Sequence, residues 1–214
     1  MKVGIIGSGD VAKALGTGFL TLGHEVKLGS RTPESEGLVA WKKKSGAHAS
    51  TGTFAEAAAF GDAVVLSVHG VDLENAIRLA GPKHFSGKIV IDTTNPLVMV
   101  PNALPTLAYG WTDSAGEHVQ KQLPDAHVVK AFNTVGNALM FKPKVAGGPP
   151  DMFYCGNDAA SKKTVGAWLT QFGWNPLDIG GIEGSRLLEP MCVLWVTLGI
   201  TGGDWGIAFK ILHQ

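Results

Sequence analysis

Short apolar runs alternate along the chain with longer segments in which apolar residues recur every three or four positions. The runs have the length of buried strands, and the periodic segments that of amphipathic helices. This alternation predicts an α/β fold with a doubly wound, mainly parallel sheet and helices on both faces. Strands are predicted at residues 1–6, 25–29, 63–67, 88–92, 127–131, 152–155 and 176–179. Helices are predicted at 10–22, 34–44, 71–79, 114–123, 159–172 and 183–198, with an alanine-rich helix after a capping box at 53–56.

The first strand runs directly into Gly7-Ser8-Gly9-Asp10-Val11-Ala12, where the first helix is predicted to begin. This spacing matches the Gly-x-Gly-x-x-Gly/Ala fingerprint of Rossmann-type folds, with Ala12 in the third place. Gly7 permits the tight turn, and Gly9 lets a pyrophosphate lie against the backbone because it has no Cβ atom. Free N–H groups at the helix start then face the phosphate charge. The turn is therefore predicted to bind a dinucleotide.

The end of the second strand indicates which dinucleotide is bound. In this kind of fold that strand tip, about 20 residues past the glycines, reaches the adenosine ribose, and NAD enzymes carry Asp or Glu there. This chain has Ser30-Arg31-Thr32 and no carboxylate between Leu28 and Pro33. Arg31 can form a fork to a 2′-phosphate, which a carboxylate would repel. We therefore predict NADP(H); the alternative is a surface turn that contacts only water.

Three further strand ends supply candidate residues, because ligands of open α/β sheets lie at the carboxyl ends of the strands. These ends are rich in Asn, Thr and Ser, which offer neutral hydrogen bonds to an amide or a ribose. His69 either donates a proton to the reduced acceptor or only lines the pocket. Asn133 either bonds the nicotinamide carboxamide or braces its own loop. The candidates in these segments are Ser67, Val68, His69, Asn95, Pro96, Ala131, Phe132 and Asn133.

Composition narrows the class of protein. Lys plus Arg and Asp plus Glu are both 18, and this zero net charge gives no sign of a nucleic-acid-binding surface. Cys155 and Cys192 fit no metal-binding spacing, so we expect buried free thiols, no metal site and a reducing cytoplasm. The sequence enters a strand without a signal peptide, and the apolar run 187–200 is interrupted by Glu189 and Pro190. No membrane span is expected.

The length of 214 residues suits one large α/β domain, or one domain with a small appendage. We predict a dinucleotide-binding domain over 1–180 and a C-terminal helical extension over 181–214, which together form one structural unit. The segment Gly147-Gly148-Pro149-Pro150 is either a flexible loop over the active site or an ordinary surface turn.

Proton-donor patterns of other dehydrogenases, such as Tyr-x-x-x-Lys, are missing from the sequence. Flavins and deazaflavins accept a hydride without a positioned acid, so a flavin-like ring is the expected acceptor. One alternative is a small imine or carbonyl reductase of the pyrroline carboxylate reductase type. Another is a redox sensor that binds NADP(H) without turnover.

Stretches in the same order along nearly the whole chain resemble the deazaflavin-dependent NADP oxidoreductases. They are also similar to the cytoplasmic reductase domain of the six-transmembrane metalloreductases. The more specific stretches are Lys130-Ala131-Phe132-Asn133-Thr134 and Cys155-Gly156-Asn157-Asp158, and the others include 6–13, 28–31 and 91–96. The chain has His69-Gly70 where we expect Pro-Trp in the deazaflavin-dependent enzymes. Its segments 97–110 and 137–150 also differ from the pattern of those enzymes.

The resemblance implies hydride transfer between NADPH and a deazaflavin or a flavin such as FMN or FAD. It also implies that the C-terminal extension over 181–214 completes the acceptor site, and that the C-terminal helix takes part in a homodimer. By position, it assigns the pyrophosphate to Ser8, Gly9, Asp10 and Val11, the 2′-phosphate to Ser30 and Arg31, and the nicotinamide to His69, Asn95, Pro96, Ala131 and Phe132.

Overall fold

The computed structural model describes residues 1–212, in which strands and helices alternate as the sequence pattern predicts. The strands are β1 (Lys2–Ile6), β2 (Glu25–Gly29), β3 (Ala49–Gly52), β4 (Ala63–Leu66), β5 (Ile89–Asp92), β6 (Leu97–Val98), β7 (Thr106–Leu107), β8 (His127–Lys130), β9 (Asp151–Gly156) and β10 (Asn175–Asp178). The α-helices are α1 (Asp10–Thr21), α2 (Glu36–Ser45), α3 (Phe54–Phe60), α4 (Leu73–Ala80), α5 (Ala115–Gln122), α6 (Ala159–Gln171) and α7 (Ser185–Gly202).

Eight of the strands form one sheet in the order β10-β9-β8-β5-β4-β1-β2-β3. All neighbours pair in parallel except β8 and β9, which are antiparallel. The predicted doubly wound, mainly parallel sheet is confirmed. Because β1 pairs with both β2 and β4, the strand order reverses beside it, and ligands of such sheets bind at this switch point.

Two apolar layers cover the two faces of the sheet. One contains residues of α1, α2 and α6, and the other contains residues of α3, α4 and α5. Along β4, Val65 belongs to the first layer, whereas Val64 and Leu66 belong to the second. Successive side chains of a strand point to opposite faces, so a strand covered on both sides must be apolar throughout. This explains the uninterrupted apolar run in the sequence.

The sequence pattern missed three short strands. Strand β3 lies at the edge of the sheet and reads Ala-Ser-Thr-Gly, so it carries little of the apolar signal of a buried strand. Strands β6 and β7 form a separate antiparallel hairpin of two residues each. The capping box that precedes α3 is confirmed, because Thr53 accepts from the Glu56 N–H and Glu56 accepts from the Thr53 N–H.

The C-terminal part of the described chain consists of α7 and an extended tail. The tail turns back at Gly203 and packs the Trp205 ring at a tilt against that of Trp195. It then reaches β9, where the Asp151 N–H donates to the Phe209 carbonyl. Residues 213 and 214 of the predicted extension lie outside the described residues. The segment 147–150 contacts this tail through a bond from Lys210 Nζ to the Pro149 carbonyl.

Both cysteines are buried free thiols, as predicted. Burial raises the pKa of Cys155 to about 11 and that of Cys192 to about 12, so neither is a thiolate at neutral pH. Among residues 1–212 no helix combines the length and the apolar character needed to cross a bilayer.

Candidate functional site

A cavity of about 880 Å³ opens at the carboxyl ends of β1, β2, β4 and β5, beside the switch point of the sheet. Its volume lies in the range of small-molecule and cofactor sites. Predicted residues that line it are Gly7, Ser8, Gly9, Asp10, Val11, Ser30, Arg31, Thr32, Ser67, Val68, His69 and Asn95. Further lining residues include Phe54, Gly70, Val71, Asp72, Asn75, Ala76, Thr93, Thr94, Leu97 and Asn137.

Gly7 makes the sharp turn between β1 and the cavity. Its backbone has φ +146°, and a Cβ atom on it would lie 2.1 Å from the carbonyl oxygen of Ser67. Only glycine adopts this conformation readily and also permits so close an approach of β4. The first glycine of the fingerprint is therefore required by the fold itself.

At Gly9, unlike Gly7, the protein fold itself does not require glycine. It precedes α1 with an ordinary extended backbone, and a Cβ atom built on it would meet nothing within 4 Å. The protein fold thus leaves open space at this position, on the cavity side of the turn. No side chain caps the first N–H groups of α1, so these donors are available to an anion in the cavity.

The turn after β2 forms the outer end of the cavity. The Ser30 N–H donates to the Gly52 carbonyl, and the Ser30 hydroxyl accepts from the Thr32 N–H, which fixes the turn. Arg31 is exposed and lines the cavity. The guanidinium is therefore the side chain that can meet a phosphate at this end.

The inner end of the cavity is polar but holds few charges. Thr93, Thr94 and Asn95 come from the segment after β5, and Gly70 lies directly against them. A Cβ atom on Gly70 would lie 2.0 Å from the Asn95 carbonyl oxygen, so the two loops pack backbone to backbone. The Ser67 hydroxyl is buried and has no hydrogen-bond partner among the described residues.

Four of the predicted cofactor contacts lie behind the cavity and do not line it: Pro96, Ala131, Phe132 and Asn133. Ala131 and Phe132 belong to the hydrophobic core, where the Phe132 ring packs on Phe172. The Asn133 amide donates to Asn95 Oδ1 at 2.9 Å, and Asn95 Nδ2 donates to the Asn133 carbonyl at 2.8 Å. These bonds brace the loop that carries Asn133, and the contact of Asn133 with the nicotinamide carboxamide stays a prediction.

A buried ion network, which the sequence did not reveal as a unit, lies beside the inner end. Lys130 Nζ is 2.8 Å from Asp92 Oδ2 and 2.8 Å from Glu189 Oε1, and all three side chains are buried. Asp92 also accepts from the N–H and the hydroxyl of Thr94. In the sequence, each of the three charged residues directly follows apolar residues, which indicates that its side chain is buried. No local pattern shows which of these charges pair.

Backbone groups of α5 complete the binding of Glu189. The Glu189 carboxylate accepts from the backbone N–H groups of Ala115 and Gly116 in the first turn of α5. Burial by itself would lower the pKa of Lys130, but Asp92 and Glu189 outweigh burial and hold this pKa above its ordinary value. The ammonium therefore stays charged over the whole physiological pH range.

Comparison with known proteins identifies the family. Residues 2–96 match the sequence family described as "NADP oxidoreductase coenzyme F420-dependent". The F420-dependent NADP reductase of Methanocaldococcus jannaschii is 30% identical in an alignment that covers 100% of this chain and 99% of the reductase. The chain belongs to the F420-dependent NADP oxidoreductase family. It is an NADP-dependent oxidoreductase, as the fingerprint and the Ser30-Arg31 turn predicted.

Two further proteins are similar to this oxidoreductase. A crystal structure from Arthrobacter sp. FB24, provisionally assigned as an F420-dependent NADP reductase, superimposes with a TM-score of 0.93 at 34% identity and covers 100% of both chains. The rat metalloreductase STEAP3 is 31% identical over 88% of this chain, and the match spans only 36% of the length of that relative.

The residues of the oxidoreductase fit NADP(H). Open space at Gly9, free donors at the start of α1, the Arg31 guanidinium and the unpartnered Ser67 hydroxyl all face one cavity. No group of three or more His, Cys, Asp or Glu side chains within residues 1–212 is arranged to hold a metal ion.

Proposed function

We propose that this oxidoreductase transfers a hydride between NADP(H) and a flavin-like acceptor, with a deazaflavin such as F420 as the first candidate and FMN or FAD as the others. One observation carries the proposal. A single cavity joins the glycine turn and Arg31 at one end to a Thr- and Asn-rich pocket at the other. When bound, NADPH supplies the hydride, and the protein supplies orientation.

The outer half of the cavity would hold the adenosine and the phosphates. The N–H groups at the start of α1 would bind the pyrophosphate, while Ser30, Arg31 and Thr32 would bind the 2′-phosphate. Arg31 offers a planar fork of donors, which suits a phosphate better than a single point charge does.

The inner half would hold the nicotinamide. Ser67, Thr94 and Asn95 offer uncharged hydrogen bonds there, and no buried acid lines this end. His69 is exposed at the rim and would shield or orient the acceptor. This arrangement suits an acceptor ring that takes a hydride without a proton donor fixed in the site.

The acceptor would lie beside Leu97 and Asn137. These two lining residues come from the two segments in which the sequence departs from the deazaflavin pattern. Leu97 packs against the apolar cluster of Cys192, Trp195 and Val196 on α7, which provides a surface for an aromatic ring. This position makes the C-terminal extension part of the acceptor site.

The acceptor is tested by stopped-flow measurement of NADPH oxidation with F420, FMN, FAD and a cyclic imine. We expect saturable oxidation with at least one of the ring acceptors. Oxidation with the imine alone would favour the imine reductase alternative. Tight NADPH binding without oxidation by any acceptor would favour the sensor.

The cofactor assignment is tested by the Arg31→Ala variant. We expect it to lose most of the preference for NADPH over NADH, because the 2′-phosphate loses its charged partner. Lys43→Ala, which removes an exposed charge from α2 outside the cavity, is the matched control and should keep the preference. An unchanged preference in Arg31→Ala would exclude the proposed role of this turn.

We propose further that the exposed side of α7 forms a homodimer contact. Leu187, Leu194 and Leu198 are 59%, 50% and 44% exposed, and their spacing places them along one side of the helix. Sedimentation of the Leu194→Glu variant as a monomer, against a wild-type dimer, would support this contact. A wild-type monomer would refute it.

A further inference from the structure

Helix α7 is connected to the inner end of the cavity by two separate chains of hydrogen bonds. The first begins at Glu189, passes through the Lys130 ammonium to Asp92, and ends at Thr94. The second begins at the carbonyl of Leu188, which accepts from Asn133 Nδ2 at 2.8 Å. The Asn133 side chain also donates to Asn95 Oδ1, and Asn95 Nδ2 donates to the backbone carbonyl of Asn133.

The two chains start at neighbouring residues of α7 and end at neighbouring residues of the cavity lining, Thr94 and Asn95. Among the described hydrogen bonds, the Thr94 hydroxyl bonds only Asp92, which ends β5 two residues earlier, and the Asn95 amide group bonds only Asn133. Each of these side chains is therefore oriented by a residue that Lys130 or Leu188 holds in turn.

The first of these two hydrogen-bond chains is held by strong electrostatic interactions. Glu189 and Asp92 are both bound by one fully buried ammonium, and removing the ammonium would leave two buried carboxylates without a counter-ion. Glu189 also accepts from the first turn of α5, which ties that helix to the same point. Such a network has one favourable arrangement, so its members are fixed relative to one another.

From this geometry we propose that α7 positions the nicotinamide end of the cavity, with Glu189, Lys130 and Asn133 as positioning residues that act through Thr94 and Asn95. The inference rests on the proposed function, because it takes the inner end to be the nicotinamide end. The proposal predicts different effects on the two halves of NADPH. Loosening α7 should impair recognition of the nicotinamide half of NADPH and spare the adenosine half, which binds at Gly9 and Arg31.

The test compares two ligands on the full-length protein by calorimetry: NADPH, and adenosine 2′,5′-bisphosphate, which lacks the nicotinamide half. In Glu189→Gln we expect the Kd for NADPH to rise about tenfold. The Kd for the bisphosphate should stay within about twofold of wild type. The matched control is Asp178→Asn, which removes the partly exposed charge that pairs with Lys162 on α6; this pair involves neither α7 nor the cavity lining, and the variant should change neither Kd.

An equal rise in both Kd values, or no rise in either, would overturn the positioning role. If Glu189→Gln does not fold, Asn133→Ser cuts the second chain and must show the same selective loss. Wild-type protein that binds neither ligand would overturn the proposed function and this inference with it, and that result is distinct from a failure confined to the variants.

Discussion

The Lys130 ammonium lies 2.8 Å from the Glu189 carboxylate, although the two residues stand on a central strand and on the C-terminal helix. The same ammonium bonds Asp92 at 2.8 Å, so two buried anions share a single buried cation. This ion pair connects the central sheet to helix α7, which follows the predicted dinucleotide-binding domain 1–180. The stability of the fold and the shape of the cavity therefore depend on the same residues.

The first prediction concerns the free energy of unfolding. Lys130→Met should lower it by roughly 3–5 kcal/mol, because two buried carboxylates lose their counter-ion. Urea denaturation measures the change. Lys162→Met breaks a more exposed pair with Asp178 and should lower it by less than about 1 kcal/mol. Similar losses in the two variants would contradict the dominant role of the buried network.

The two glycines of the fingerprint should respond differently to alanine. Gly7→Ala should lower the free energy of unfolding by about 2 kcal/mol or more, because the new methyl group would overlap the Ser67 carbonyl and the backbone is left-handed. Gly9→Ala has free space, so stability should change by less than about 1 kcal/mol.

The same Gly9→Ala methyl group would occupy the space proposed for the pyrophosphate. Its Kd for NADPH should rise at least tenfold while the thermal transition stays near that of wild type. Calorimetry and thermal melting measured on one sample separate the two effects. Unchanged NADPH affinity in Gly9→Ala would show that the phosphates lie elsewhere.

Ser67→Ala tests the unpartnered hydroxyl in the cavity. Without ligand, the variant should be as stable as wild type or up to about 1 kcal/mol more stable, because a buried unsatisfied group is removed. With NADPH, it should bind about fivefold more weakly, which corresponds to one net hydrogen bond of about 1 kcal/mol.

Ser50→Ala supplies the contrast for Ser67. The Ser50 hydroxyl donates to the Val26 carbonyl and does not line the cavity. This variant should lose a little stability and keep its NADPH affinity. A Ser67→Ala variant that behaves like Ser50→Ala would remove Ser67 from the cofactor site.

The last prediction concerns acid stability. Burial and the nearby N-terminal charge lower the pKa of His24 below 6.5 in the folded protein. The unfolded chain therefore binds more protons at this site, and the free energy of unfolding should fall as pH drops below about 6.5. His24→Phe keeps the aromatic contacts with Phe19 and Trp168 and should reduce this slope.

Denaturation at pH 5 and pH 7 measures the His24 effect. His48→Phe, which changes an exposed histidine, is the control and should leave the slope as in wild type. An unchanged slope in His24→Phe would assign the acid sensitivity to other groups.

The sequence alone determined the fold class and the residues at the end of the cavity that is proposed to bind the phosphates. Both depend on local patterns: strand and helix periods along the chain, and the spacing of Gly7, Gly9 and Ala12. The Ser30-Arg31-Thr32 turn likewise carries its chemistry in three adjacent residues. Short edge strands such as β3 were not predicted, because they bury too few apolar side chains to give a recognisable sequence pattern.

Only the tertiary structure decided what lies behind the cavity. Ala131 and Phe132 follow a strand that ends at the ligand edge, yet their side chains belong to the core. Lys130 is paired with Asp92 and Glu189, which stand far from it along the chain. A charge inside an apolar run indicates that a partner is needed, but the partner depends on how strands and helices are brought together. Packing supplies that information, and no short pattern of residues contains it.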